Sequence, residues 1–167
     1  MGDIHLHRWR PAALTGDVIR GVVSFGGALF VGLLVPIGSI AFFLAVGLAL
    51  VFGWYLAGTI SRLRSLVEVN DDGLRLSGGL WAAKAIKWAQ LDKFELRYFS
   101  LKRDRSEGWM DLKLKGGGQT IALDDRLDRF HEVLARAFEA ARASEVGLSD
   151  TTHANLIAAG IIAKPGP

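Results

Sequence analysis

The sequence predicts an α+β membrane protein: an N-terminal transmembrane helical hairpin, then a small antiparallel β-sheet domain capped by a C-terminal amphipathic helix. Three observations predict it. From Gly21 to Ser61, forty-one consecutive residues contain no Lys, Arg, Asp, Glu or His. After Arg64 the apolar period switches from helical to alternating, and after Asp125 it returns to spacings of three and four.

At about 1.5 Å per helical residue the uncharged run is about 60 Å long, twice the ~30 Å hydrocarbon core of a bilayer. It therefore crosses twice, turning at Pro36, Gly38 and Ser39. Residues 1–17 form an N-terminal segment and 18–61 the hairpin, with spans over 18–35 and 38–60. Arg8, Arg10 and Arg20 precede the uncharged run, Arg62 and Arg64 follow it, and the connection carries no charge, so both termini are expected in the cytoplasm. Trp9 at one end and Trp54 with Tyr55 at the other suit interfacial depth. A cleaved signal peptide fits poorly, because the apolar stretch runs far beyond an h-region.

Small residues recur every four positions in the second span, at Ala41, Ala45, Ala49, Gly53, Ala57 and Ser61, and in the first at Ser24, Ala28 and Gly32. Such stripes let helix backbones approach closely, and van der Waals contact then holds them in lipid. The longer stripe fits two arrangements: packing within the hairpin, or docking on helices of another protein. Between Gly21 and Ser61 no charged residue or histidine occurs, which argues against a proton or ion pathway.

From Arg62 to Arg142 there are 16 Lys plus Arg and 13 Asp plus Glu, interspersed as on ordinary soluble surfaces, so the basic balance does not point to nucleic acid. The absence of cysteine excludes disulfides, thiolate nucleophiles and Cys-ligated metal centres.

In the segment 62–143, Val67 and Val69 flank Glu68, Asn70-Asp71-Asp72-Gly73 makes a turn, and Leu74 and Leu76 flank Arg75. Further strands are expected over 80–87, 94–101, 110–115 and 119–123, six in all. Asp124 and Asp125 then offer N-cap oxygens to a helix whose apolar face is Leu127, Phe130, Leu134, Ala137, Phe138 and Ala141.

A membrane hairpin, then Val67-Glu-Val-Asn-Asp-Asp-Gly-Leu-Arg-Leu76, then Ile86-Lys-Trp-Ala-Gln-Leu91, hairpin strands and a terminal helix resembles the bacterial pleckstrin-homology-like (PH-like) domain membrane proteins. The resemblance spans residues 15–143. It implies a strongly bent sheet of about seven strands capped by a helix, a binding scaffold in the bacterial inner membrane. The acidic first hairpin loop departs from the basic loop that phosphoinositide binding needs.

The tail, 144–167, carries a short helix capped by Ser149 or Asp150, with Leu156, Ile157 and Ile161 on its apolar side. It either folds back on its own domain or lies in a partner's groove. His5 and His7, with Asp3, have strand spacing for a metal, but solvated positions explain them better, and His131 and His153 stand outside any catalytic motif. Gly116-Gly117-Gly118 lacks the Lys-Ser/Thr of a P-loop and reads as a hairpin turn. Trp81 and Trp109 fall out of phase with the core pattern and are expected to expose their indoles, as binding hot spots do.

Taken together, these features predict a non-enzymatic accessory, assembly or scaffold subunit of a larger inner-membrane complex, needing no cofactor, metal, nucleic acid or small-molecule substrate. Its expected partner-binding residues are Ala41, Ala45, Ala49, Gly53, Ala57, Trp81, Trp109, Leu156, Ile157 and Ile161. The alternative is a module that senses anionic lipid headgroups through Arg62, Arg64, Lys102, Arg103 and Arg105.

Overall fold

The computed structural model describes residues 5–100 and 108–163. The chain divides into two compact units. One comprises Trp9–Ser65 and Gly78–Ala82; the other holds, among the described residues, those before Trp9, Leu66–Ser77 and those from Ala83 onward.

The first unit is a pair of helices, α1 (Pro11–Leu34) and α2 (Ile40–Arg64). At about 36 and 38 Å, each is long enough to cross a bilayer. Helix α1 starts seven residues earlier than 18, because Pro11 occupies the first helical position, where its fixed φ and missing N–H cost nothing. Asp17 and Arg20, 3.7 Å apart as an i,i+3 pair, lie inside it. Helix α2 runs four residues beyond 60, so Arg62 and Arg64 sit in its last turn, where cations suit the carbonyl ends. The turn between the helices uses Gly38 at φ +88°, and the Ser39 hydroxyl accepts the Phe42 N–H as an N-cap.

The described residues of the second unit form seven strands in two antiparallel sheets. Strands β1 (His5–Arg8), β2 (Leu66–Val69), β3 (Gly73–Ser77) and β4 (Lys84–Lys87) form one sheet in that order. Strands β5 (Leu91–Ser100), β6 (Gly108–Gly116) and β7 (Gln119–Asp124) form the other. The strand missing from the sequence-based six is β1, which precedes the helices and pairs with β2 in the register His5↔Val69 to Arg8↔Leu66. Only Lys84–Lys87 of the expected 80–87 strand is extended in the sheet; Leu80 and Trp81 belong to the helical unit instead.

The pattern Ile86-x-Trp88-x-x-Leu91 is a corner between the two sheets. Ile86 and Leu91 are buried at either side of a single 3₁₀ turn over Trp88–Gln90, and the Trp88 indole N–H donates to the Asn70 carbonyl at 2.9 Å. Across from this corner β4 meets β7, where Lys84 Nζ donates to Thr120 O and Ala85 N–H to the Gln119 side chain, each at 3.0 Å.

Helix α3 (Phe130–Ala143) closes the unit against β5, burying Phe130, Val133, Leu134, Ala137, Phe138 and Ala141. Asp124 and Asp125 do not cap it. Asp124 ends β7, while Asp125 accepts the Met110 N–H at 3.0 Å and donates its own N–H to the Met110 carbonyl, extending the β6–β7 ladder. The chain turns into α3 through Arg129 at φ +54°.

Helix α4 (Asp150–Ala158) folds back onto β5. Both α3 and α4 end in the Schellman hydrogen-bond pattern, with Glu145 at φ +53° and Gly160 at φ +73° in the left-handed position.

Candidate functional site

The hairpin packs through small residues. Gly21, Ala28, Ala45 and Ala49 are buried. A Cβ added to Gly53 would come within 3.2 Å of the Phe25 ring, and one added to Gly32 within 3.6 Å of Ala45. So the centre of the α2 stripe is used within the hairpin, whereas Ala41 at its N-terminal end is exposed and Ala57 half-buried. The reason is geometric: four residues advance a helix by about 40° more than one full turn, so a period-four stripe drifts off the contact face. Ala41 lines an apolar groove of about 470 Å³ with Ser24, Gly27, Val31, Leu48 and Phe52.

At the far end of the stripe, Ser61 is buried. Its Oγ accepts the Leu80 N–H at 3.0 Å, and the Ser65 hydroxyl donates to the Ser61 carbonyl at 2.7 Å. Gly79 lies so close that a Cβ there would stand 2.6 Å from both serine oxygens. Trp81 continues this contact, its ring centre 5.2 Å from that of Trp54. Yet both rings remain open, Trp54 at 70% and Trp81 at 53% of full exposure.

Trp109 stacks on Phe99 across the β5–β6 pair, 5.6 Å between centres, and keeps 40% of its surface open. The two rings stand one pair from the end of the described β5–β6 ladder. Lys102, Arg103 and Arg105 lie outside the described residues; Arg62 and Arg64 are exposed.

In the tail, Leu156 is fully buried within the sheet unit, so it serves as a core residue and not as an open anchor. Thr152 Oγ1 accepts the Leu96 N–H at 3.4 Å and the Asn155 side chain donates to the Leu96 carbonyl at 2.8 Å. These groups cover the outer edge of β5. Ile157 and Ile161 are half-buried.

Two sequence expectations about the N-terminal segment are corrected. His7 is 2% exposed, because β1 turns it inward, and its Nδ1 lies 3.1 Å from the Asp128 carbonyl. Trp9 is also buried, so it does not present its indole at a membrane interface. His5, His7, Asp71, Glu132 and Arg136 surround a cleft of about 340 Å³. Its one guanidinium already pairs with Asp71 and Glu139. Among the described residues there is no cluster able to hold a metal ion. Asp3, which was to complete the His5 and His7 set, lies outside them.

Among the described residues, Glu95 is a titratable group whose environment shifts it. Hydrogen bonding from Arg97, whose Nε donates at 2.8 Å, holds its carboxyl below the usual glutamate range, and Lys93 at 3.2 Å adds to this, together outweighing partial burial. The three side chains form an ion-pair row along β5. This is surface electrostatics of a sheet.

No family model, curated protein or solved structure matches the chain.

Proposed function

We propose that this protein is a non-enzymatic accessory, assembly or scaffold subunit of a larger inner-membrane complex, anchored by the α1–α2 hairpin. The observation that carries the reading is the groove beside Ala41. The hairpin satisfies only part of its own small-residue stripe and leaves an apolar recess lined by Gly27, Val31 and Phe52, where small side chains let another helix approach closely.

Two further features support it. Pairing of β1 with β2 requires the segments before α1 and after α2 to lie on one side of any membrane the helices cross, which agrees with two spans and with the flanking arginines on the cytoplasmic side. Seven strands in sheets of four and three, with α3 against β5, support a PH-like reading of the sheet unit.

The test is extraction in mild detergent after photocrosslinking from Ala41, Trp109 and Ile157, each replaced singly by a photoreactive residue. The expected result is one integral membrane protein captured from Ala41 and retained through purification. Recovery as a free monomer with nothing captured from any position would overturn the reading.

A further inference from the structure

We propose that the β3–β4 connection, Gly78–Ala82, is a membrane-inserted element whose Leu80 and Trp81 side chains lie in the headgroup–acyl boundary of the bilayer. The inference rests on the reading that α1 and α2 span that bilayer, and adds a third point of insertion to the two spans.

Composition comes first. Between Arg75 and Lys84 the chain carries no charge, and at its centre stand two large apolar side chains, Leu80 at 50% and Trp81 at 53% exposure. In a purely aqueous loop these positions would favour Asn, Asp, Ser or Lys. Their placement is built, not incidental. The Leu80 N–H is held by Ser61 Oγ, and Gly79 supplies the close approach that any side chain would block. Although both flanking strands belong to the sheet unit, Gly78–Ala82 itself belongs to the helical one.

Depth follows from helix geometry. Arg62 and Arg64 mark the level of the headgroups, and Trp54, eight residues earlier on α2, lies about 12 Å deeper along the axis. The polar zone on each side of a bilayer is only about 5–8 Å thick. The Trp81 ring, 5.2 Å from that of Trp54, therefore reaches the hydrocarbon boundary, the depth at which indoles concentrate. The occupant is lipid and not a second protein, because Trp81 lies against Trp54, which shares one face of α2 with exposed Val51 and Leu50, three and four residues earlier on the span. Irregular backbone is tolerated at that level where its polar groups are bonded, as Leu80 N–H is by Ser61.

The cysteine-free chain allows a direct test in the full-length protein, reconstituted into phosphatidylcholine vesicles with and without acyl-chain-brominated lipid. Single variants Leu80→Cys, Val51→Cys and Arg75→Cys carry an environment-sensitive fluorophore. Val51 reports the span and Arg75 the sheet. The expected result is that the Leu80 label follows the Val51 label: quenched by brominated lipid, and several-fold less accessible to iodide than the Arg75 label. If the Val51 label is quenched by lipid while the Leu80 label responds to iodide alone, the inference fails and the spans stand. Shielding of the Leu80 label from iodide without quenching by lipid would mean that protein covers it, which also overturns the inference. If the Val51 label behaves like the Arg75 label, the membrane reading falls and this inference with it. Trp81→Asp, leaving the Leu80 label in place, should raise its iodide quenching several-fold.

Discussion

Arg8 stands opposite Leu66 in an antiparallel ladder, although the whole α1–α2 hairpin separates them in sequence. The edge strand of the first sheet is thus supplied by residues that precede the helices. Sheet and hairpin are consequently interleaved along the chain, and a fragment beginning at Arg62 would lack β1.

His7 gives the first prediction. A carbonyl only accepts, so the 3.1 Å contact with Asp128 O requires the proton on Nδ1. His7→Ala removes this hydrogen bond to the Asp128 carbonyl and opens a void beside Val67, its partner across the ladder. The expected cost is about 1–3 kcal/mol, read as a lower thermal midpoint in detergent. His5→Ala, at an exposed position of the same strand, should change stability by no more than about 0.5 kcal/mol.

The hairpin interface gives the second. Gly53 faces the Phe25 ring, whereas a Cβ at Gly47 meets nothing within 4 Å. Gly53→Val should therefore destabilise the helix pair by about 1–3 kcal/mol through overpacking, while Gly47→Val is tolerated. Interhelical disulfide formation between cysteines placed at Gly32 and Ala45 measures the difference. Equal effects from both glycines would contradict the packing described.

Glu95 sets the third. Its carboxyl is held below its ordinary value by Arg97 and Lys93 in the folded state, so the folded protein binds this proton less readily than the unfolded chain. The contribution is fully present above the ordinary glutamate value of 4.5 and is lost as pH falls through the lower folded value. Glu95→Gln should flatten that part of the stability–pH curve as the pH falls below 4.5, with the wild-type protein losing more stability than the variant. Denaturant titrations at stepped pH supply the measurement.

How much of this was legible in the sequence depends on whether a residue's neighbours are local. The alternation of Val67, Val69, Leu74, Leu112 and Leu114 and the face from Leu127 to Ala141 are local patterns, and all of them are buried as expected. Strand β1 was not legible, because it is four residues long and turns a histidine inward, and its partner lies beyond two helices. Asp125 carries the chemistry of a helix cap, and only the register of β6 against β7 shows that Met110 takes it instead. The apolar run at Leu80 and Trp81 looks like a strand, since nothing local signals the Ser61 hydroxyl that holds it. For the candidate site, the small-residue stripe was visible, but which of its positions face α1 depends on where the helices cross.

The edge of β5 carries the last prediction. In the β5–β6 ladder Leu96 faces Leu112, and its outward N–H and C=O meet Thr152 Oγ1 and the Asn155 amide, so two side chains of α4 stand where a further strand would bond. Such an edge, left open, is a template for pairing with another chain. Asn155→Ala with Thr152→Val removes both polar contacts while leaving Leu156 in the core. Amide hydrogen exchange at Leu96 should then accelerate by about tenfold, the equivalent of about 1.4 kcal/mol. Leu156→Ala acts differently, since deleting a fully buried side chain costs about 2–5 kcal/mol and should release α4 altogether. That variant is expected to self-associate through the bared edge, seen as concentration-dependent oligomers in detergent, and it should not do so when Leu96→Pro is added, because proline removes the N–H that an incoming strand would use.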